Sequence, residues 1–346
     1  MEQKPKLADV ALAAEVSTAT ASQVLRGTGR ISESTRKKVL AAARKLNYVR
    51  DGRAASMRSG ENREIGFAVH QIANPFNAEV ISGVSDLLET EGYLVSVLDS
   101  RDNAERQRRN LEAFIQSSRG GLLWVPAENT DDATFDLLKA HGIPTVTFLR
   151  RSGKGRFDHV GIENAVATER ATRYLTELGH RHIAYLGGTA GFGVRVERIE
   201  GCRKALADLG LPAPVVWNCP DDKVAGLAEI SNLRAAHPEV TGILCNGDMV
   251  AIGACSGLTR MGLTPGRELS VIGFDDVQDA AIATPPLTTL AVSPYQLGRK
   301  LARVALDRIN DPAMPTAVSL VPAELIERDT TGPAPNAAEQ QRAVAR

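Results

Sequence analysis

Long apolar runs are missing from this sequence. No stretch approaches the roughly 18 uninterrupted apolar residues of a membrane span, and the N-terminus lacks the apolar core of a signal peptide, so a soluble cytoplasmic protein with no membrane partner is expected. Cysteine is scarce. Its four copies, Cys202, Cys219, Cys245 and Cys255, share no metal-ligand spacing such as C-x-x-C, which points to reduced, buried thiols and again to the cytoplasm. Catalytic signatures are missing as well: there is no G-x-S-x-G, G-x-x-x-x-G-K-[ST] or H-E-x-x-H. The loop GGTAGFG, 187–193, follows a strand and precedes a helix, but its spacing is wrong for a dinucleotide loop and no acidic residue follows to hold a ribose. His180 and His182 have no third ligand at useful spacing. Neither an enzyme nor a metal or other cofactor is expected.

Net charge is also lacking, since 41 basic residues balance 41 acidic ones, but the two signs are unevenly placed. Residues 1–60 hold 12 Lys and Arg against 5 Asp and Glu, net +7, which leaves the rest of the chain at net −7. A neutral chain with one basic end points to a nucleic-acid partner held by that end. The stretch LADVALAAEVSTATASQVLRG, 7–27, reads as two short helices with almost nothing between them, a helix-turn-helix. Leu7, Val10, Ala11 and Ala14 repeat at helical spacing, and Ser17 is a good N-cap for the second helix. That helix offers Thr18, Ala19, Ser22 and Gln23 on the side away from Val16, Val24 and Leu25. These small or hydrogen-bonding side chains suit the base edges of a major groove. A third helix follows, capped by Ser32, with Glu33 in its first turn and Val39, Ala43 and Leu46 on one face.

From 47 to 64 the composition turns polar and small, a linker with a short helix capped by Asp51 and stopped at Gly60; Met57 is its one large apolar side chain. After Arg63, strand-like runs alternate with amphipathic helices: IGFAVH (65–70), YLVSVLD (93–99), GLLWVP (121–126), TVTFL (145–149), HIAYLG (182–187), GILCN (242–246) and LSVIGFDD (269–276). Such alternation predicts parallel sheets covered on both faces. The pattern repeats, so two similar α/β lobes are expected. Open parallel sheets bind ligands beyond the carboxyl ends of their strands, and between facing lobes those loops line one cleft. The segment after Thr330, TGPAPNAAEQQRAVAR, has too few large apolar residues to pack and is expected to be disordered.

LADVA, VSTATASQVLRG, KLNY, IGFAV and NPF in this order resemble the LacI (lactose and purine repressor) family of bacterial transcription regulators. LGHRHIAYLGG, Arg198 before Glu200-Gly201, CNGDMVAIGA, LSVIGFDD, PPLTTL and LIERDT continue the match to about residue 330. The resemblance implies an all-α helix-turn-helix headpiece at 1–50, a hinge helix and linker at 51–62, and a two-lobed, periplasmic-binding-protein-like α/β core at 63–330. The N-lobe would span about 63–162 and 293–320, the C-lobe about 163–292 and 321–330, and a disordered tail 331–346. It implies a homodimeric repressor on a pseudo-palindromic operator of double-stranded DNA, controlled by a small-molecule effector. The family's base-reading positions fall on Thr18, Ala19 and Gln23, with Ser22 nearby, and Met57 stands where the family usually has a leucine that wedges between base pairs. Its effector pocket falls on Phe76, Arg150, Arg198, Asn246 and Asp275.

The chain departs from the family pattern in places. Arg50-Asp51 replaces the family's Pro-Asn, Ala55 replaces an arginine and removes one phosphate contact, and Leu149 replaces the aspartate of many sugar-responsive members. The aromatic and basic set that grips purines is not matched, which leans the effector towards a sugar or sugar derivative. With no leucine after residue 330, a tetramerising heptad is missing and a dimer is expected. The alternatives are a small-molecule binding protein with only non-specific DNA affinity and, more remotely, a sugar-modifying enzyme on a similar two-lobed fold.

Overall fold

The computed structural model describes residues 5–49, 62–117, 120–151, 155–188 and 193–335. It divides into two units, 1–62 and 63–346. The expected hinge helix, with Met57, lies almost wholly outside the described residues.

The first unit is a three-helix cluster of α1 (Leu7–Ala13), α2 (Thr18–Arg26) and α3 (Glu33–Lys45). Its core is Val10, Ala11, Ala14, Ala21, Val24, Val39, Ala42 and Ala43. Such small side chains let short helices approach closely. The Ser17 hydroxyl accepts the Thr20 amide at 3.0 Å and that of Ser32 accepts the Thr35 amide at 3.2 Å, so each cap satisfies an orphan donor of its helix. Gly27, at φ +70°, ends α2 in the left-handed region that glycine enters without strain.

The second unit contains two six-stranded sheets. The first holds β1 (Glu64–Val69), β2 (Leu94–Asp99), β3 (Gly121–Trp124), β4 (Thr145–Phe148), β5 (Asp158–Ile162) and β11 (Val318–Val321), in the order β11-β5-β4-β3-β1-β2. The second holds β6 (Ile183–Leu186), β7 (Val215–Trp217), β8 (Gly242–Cys245), β9 (Ser270–Asp275), β10 (Thr288–Ala291) and β12 (Glu324–Ile326), in the order β12-β10-β9-β8-β6-β7. All pairs are parallel except β10 with β12. Strand order reverses beside β1 in one sheet and beside β6 in the other, and such switch points open a crevice at the carboxyl ends. The central strands are apolar on both faces, as Phe67, Val146, Phe148, Ile243, Leu244 and Ile272 illustrate, because helices cover both.

The chain passes between the sheets three times. β5 leads into α7 (Asn164–Glu177), which packs against β8 and β12; β10 leads into α12 (Pro294–Asn310), which packs on α4 (Pro75–Thr90); and β11 runs directly into β12. A Cβ on Gly83 of α4 would lie 2.0 Å from the Tyr295 carbonyl oxygen, and one on Gly298 of α12 would lie 2.1 Å from that of Val80. Only glycine permits that backbone approach. Arg308 of α12 is nearly buried and donates to both carboxylate oxygens of Asp158 on β5, at 2.7 and 3.1 Å.

The expected disorder from residue 331 does not begin there. Ala334 donates its amide to the Leu178 carbonyl at 2.8 Å, and the Gly332 amide donates to Ser270 Oγ at 3.1 Å. Buried His180 lies 2.9 Å from both Thr241 Oγ1 and Ser270 Oγ and 3.1 Å from the Gly332 carbonyl. Main-chain and histidine hydrogen bonds, rather than the large side chains that composition counts, hold 331–335 in place; residues 336–346 lie outside the description.

Candidate functional site

In the headpiece, burial of Ala21 and Val24 turns the opposite face of α2 outward. Thr18 and Ala19 are exposed, and Ser22 and Gln23 are half-buried. Gln23 has its backbone carbonyl tied to the Thr28 amide at 3.0 Å, and its side chain lies beside Gly29.

In the second unit, the carboxyl ends of strands from both sheets line a cleft of about 610 Å³, within the usual range of small-molecule sites. It gathers all five candidate pocket residues, Phe76, Arg150, Arg198, Asn246 and Asp275. Phe76 sits in the first turn of α4, where its amide donates to the Asn74 cap at 3.0 Å. Its ring is nearly parallel to that of Phe148, with centroids 6.3 Å apart. Arg150 grips Asp102 with two parallel bonds of 2.6 and 3.0 Å and also donates to the Pro126 carbonyl at 3.2 Å. Burial alone would raise the Asp102 carboxyl, but this fork holds it below its usual value. Nearby Glu128 has no such fork. Burial, and then the Asp102 charge, push its carboxyl up to about 7. The ring of His70 lies at the end of β1, and burial followed by the Arg150 charge lower it to about 4, so it is neutral at pH 7.

The opposite wall has a different plan. Arg198 of α8 (Gly193–Asp208) donates Nε to Asn164 Oδ1 at 2.9 Å and Nη1 to the Asn246 carbonyl, with its guanidinium 3.4 Å from the Phe274 ring centroid, a cation–π arrangement. Asn164 in turn donates to Glu197 at 2.9 Å. Asn246, just past β8, accepts from the Tyr185 hydroxyl at 2.9 Å and donates to Asp221 Oδ2 at 2.7 Å. Its side chain is therefore fixed before any ligand arrives. Asp275 ends β9 at φ +117°, a conformation that side-chain-bearing residues rarely adopt. Burial raises its carboxyl well above the usual range. Its neighbour Asp276 points elsewhere and pairs with Arg328 at 2.7 Å, anchoring the segment after β12.

Among the cleft residues that escaped sequence reasoning are His70, Asp102 and Asp221. His70 ends the run IGFAVH, so the strand-end rule alone could have found it. Asp221 follows the three-residue β7, too short to show a period, and the Asp102–Arg150 pair spans 48 positions. Two atoms in the cleft walls, His70 Nδ1 and Asp221 Oδ1, are buried without a hydrogen-bond partner among the described residues. A second hollow of about 570 Å³ lies alongside and shares Glu128, Leu149, Arg150 and Val194 with the cleft. Among the described residues no group of three or more His, Cys, Asp or Glu is placed to hold a metal ion, and no helix is long and apolar enough to cross a membrane.

Comparison with known proteins agrees with this division. Residues 6–51 match the model for bacterial regulatory proteins of the lacI family, and residues 172–331 match the periplasmic binding protein-like domain. The HTH-type transcriptional repressor PurR of Vibrio cholerae is 31% identical over 325 residues, covering 93% of this chain and 96% of the relative. Among solved structures, the lac repressor dimer bound to operator and the anti-inducer ONPF superposes with a TM-score of 0.83 at 25% identity, over 95% of this chain and all of that one. A LacI family regulator from Enterococcus faecium with bound ribose gives a TM-score of 0.73 at 25% identity, over 79% of this chain and all of that one.

Proposed function

The chain belongs to the LacI family of bacterial regulatory proteins, and from that premise we propose how its own residues divide the work of an effector-controlled repressor. As a homodimer it reads a pseudo-palindromic operator through the exposed face of α2. Thr18, Ser22 and Gln23 hydrogen-bond base edges or phosphates, and Ala19 offers only contact with a thymine methyl. Met57 serves as the apolar wedge of the hinge. The cleft of the core takes a small polar effector of sugar-like chemistry. Phe76 packs on a ring, Arg198 donates to hydroxyls, Asp275 accepts from them, and Asn246 and Arg150 shape the walls. The observation that carries the reading is the convergence of five residues, spread over some 200 positions, on one cleft. The E. faecium regulator, whose bound ligand is ribose, supports the sugar-like class. Effector and operator favour different arrangements of the two lobes, so each changes the other's affinity by the same factor.

The test is a salt titration of binding to a selected operator and to a scrambled duplex. Specific reading survives moderate salt on the operator only, because counterion release weakens non-specific binding steeply. Gln23→Ala costs about 1–3 kcal/mol on the operator and little on the scrambled duplex. Met57→Ala weakens operator binding and leaves effector binding intact. Equal salt sensitivity on both duplexes would leave only the non-specific alternative.

A further inference from the structure

Six carboxylates and four arginines line the cleft. On the N-lobe side the carboxylates find arginines: Arg150 holds Asp102 and lies 3.9 Å from Glu128, and Arg101 lies 3.7 Å from Asp99. On the C-lobe side they do not. Arg198 donates to the Asn164 side chain and the Asn246 carbonyl, and Arg195 donates to the Gly187 carbonyl at 2.8 Å and to Asn218 Oδ1. All four acceptors are neutral. Asp275 has no hydrogen bond or ion pair to its side chain among the described residues, and Asp221 has one oxygen on the Asn246 amide and the other buried with no donor. The two carboxylates are neighbours, since a Cβ on Gly247 would lie 3.4 Å from an oxygen of each. Burial raises both above the usual carboxylate range even though the Arg198 charge pulls each of them down, and neither forms an ion pair with that guanidinium among the described residues.

We propose that the effector carries a protonated amino group, seated between Asp221 and Asp275, so that its class is an amino-bearing polyol such as an amino sugar. An ammonium brings both of the things these two carboxyls lack, a cation in direct contact and up to three donors. A neutral hydroxyl brings one donor and no charge. A phosphate or carboxylate would add a further unpaired anion to a buried acidic wall, which desolvation makes costly. Arg198, held against Phe274 and short of its full donor capacity, remains for the ligand's hydroxyls. The assignment rests on the reading of the cleft as the effector site.

The experiment is calorimetric titration of the full-length protein with glucosamine, galactosamine and mannosamine, with the parent sugars glucose, galactose and mannose, and with the three parent 6-phosphates. The expected result is that at least one amine binds tenfold or more tighter than its parent and tighter than the matching phosphate. In Asp221→Asn, an isosteric change, that preference shrinks towards parity. Parent sugars or phosphates that bind as tightly as the amines, and lose affinity in Asp275→Asn, overturn the ammonium assignment and leave the cleft as the effector site. Binding that neither Asp221→Asn nor Asp275→Asn alters overturns the assignment and the cleft reading together. Silence from all nine compounds overturns the assignment alone.

Discussion

The two walls of the cleft are built from similar sheets yet handle charge in opposite ways. The N-lobe is self-sufficient: Arg150 is forked onto Asp102, and deeper in the lobe Arg308 is forked onto Asp158. The C-lobe places Arg198 and Arg195 on neutral acceptors and leaves Asp221 and Asp275 without a direct ion pair among the described residues. A buried charge that is paired supports the fold, whereas one that is left waiting costs stability until a ligand completes it. On the proposed reading one wall is scaffold and the other receptor, although both face the same space.

Changes on the two walls should move stability in opposite directions. The largest effect belongs to the deepest pair. Asp158→Asn strands the Arg308 guanidinium in the N-lobe and should lower unfolding stability by about 3–5 kcal/mol in denaturant titration. At the cleft itself, Asp102→Asn breaks a charge-assisted fork and should cost about 1.5–3 kcal/mol. Asp275→Asn removes a buried carboxylate that has no direct partner and should stabilise the empty protein by about 1 kcal/mol, with loss of effector response. Equal signs for these two variants would dissolve the contrast between the walls. The smallest effect is a difference in pH dependence. Glu128 titrates at about 7 when folded, against an ordinary value of 4.5. Between those values the folded state binds the extra proton, so its contribution to stability is lost as pH rises from 4.5 to 7 and is flat above. Glu128→Gln cannot ionise, and its advantage over the unaltered protein should grow across that window. A difference that stays level from pH 4.5 to 8 would show that Glu128 is not raised.

Much of the architecture is legible in the sequence because the central strands carry their signal locally. IGFAVH, TVTFL, GILCN and LSVIGFDD are apolar runs closed by polar loops; β4, β8 and β9 lie within them and β1 begins one residue before its run, at Glu64. The short or half-exposed strands β7, β11 and β12 have no such signature, since three or four residues cannot establish a period. The face of α2 is legible for the same local reason. The cleft is legible only as a set of residue types at strand ends. Which side chains pair cannot be read along the chain, because Arg150 finds Asp102 across 48 positions and Asn246 finds Asp221 across 25. That pairing decides that Arg150 and Asn246 are largely occupied while Asp221, unremarkable in sequence, is not. Residues 331–335 taught a related lesson, since a segment poor in apolar side chains is held by main-chain bonds around His180.

The most direct test of the account is to sequence the genomic fragments that the purified protein retains at moderate salt, with and without added cell extract. The account predicts a small set of fragments sharing a pseudo-palindrome, with retention altered by the extract and that alteration abolished in Asp275→Asn. Fragments with no common sequence under either condition would contradict it and leave a binding protein whose headpiece holds DNA without reading it.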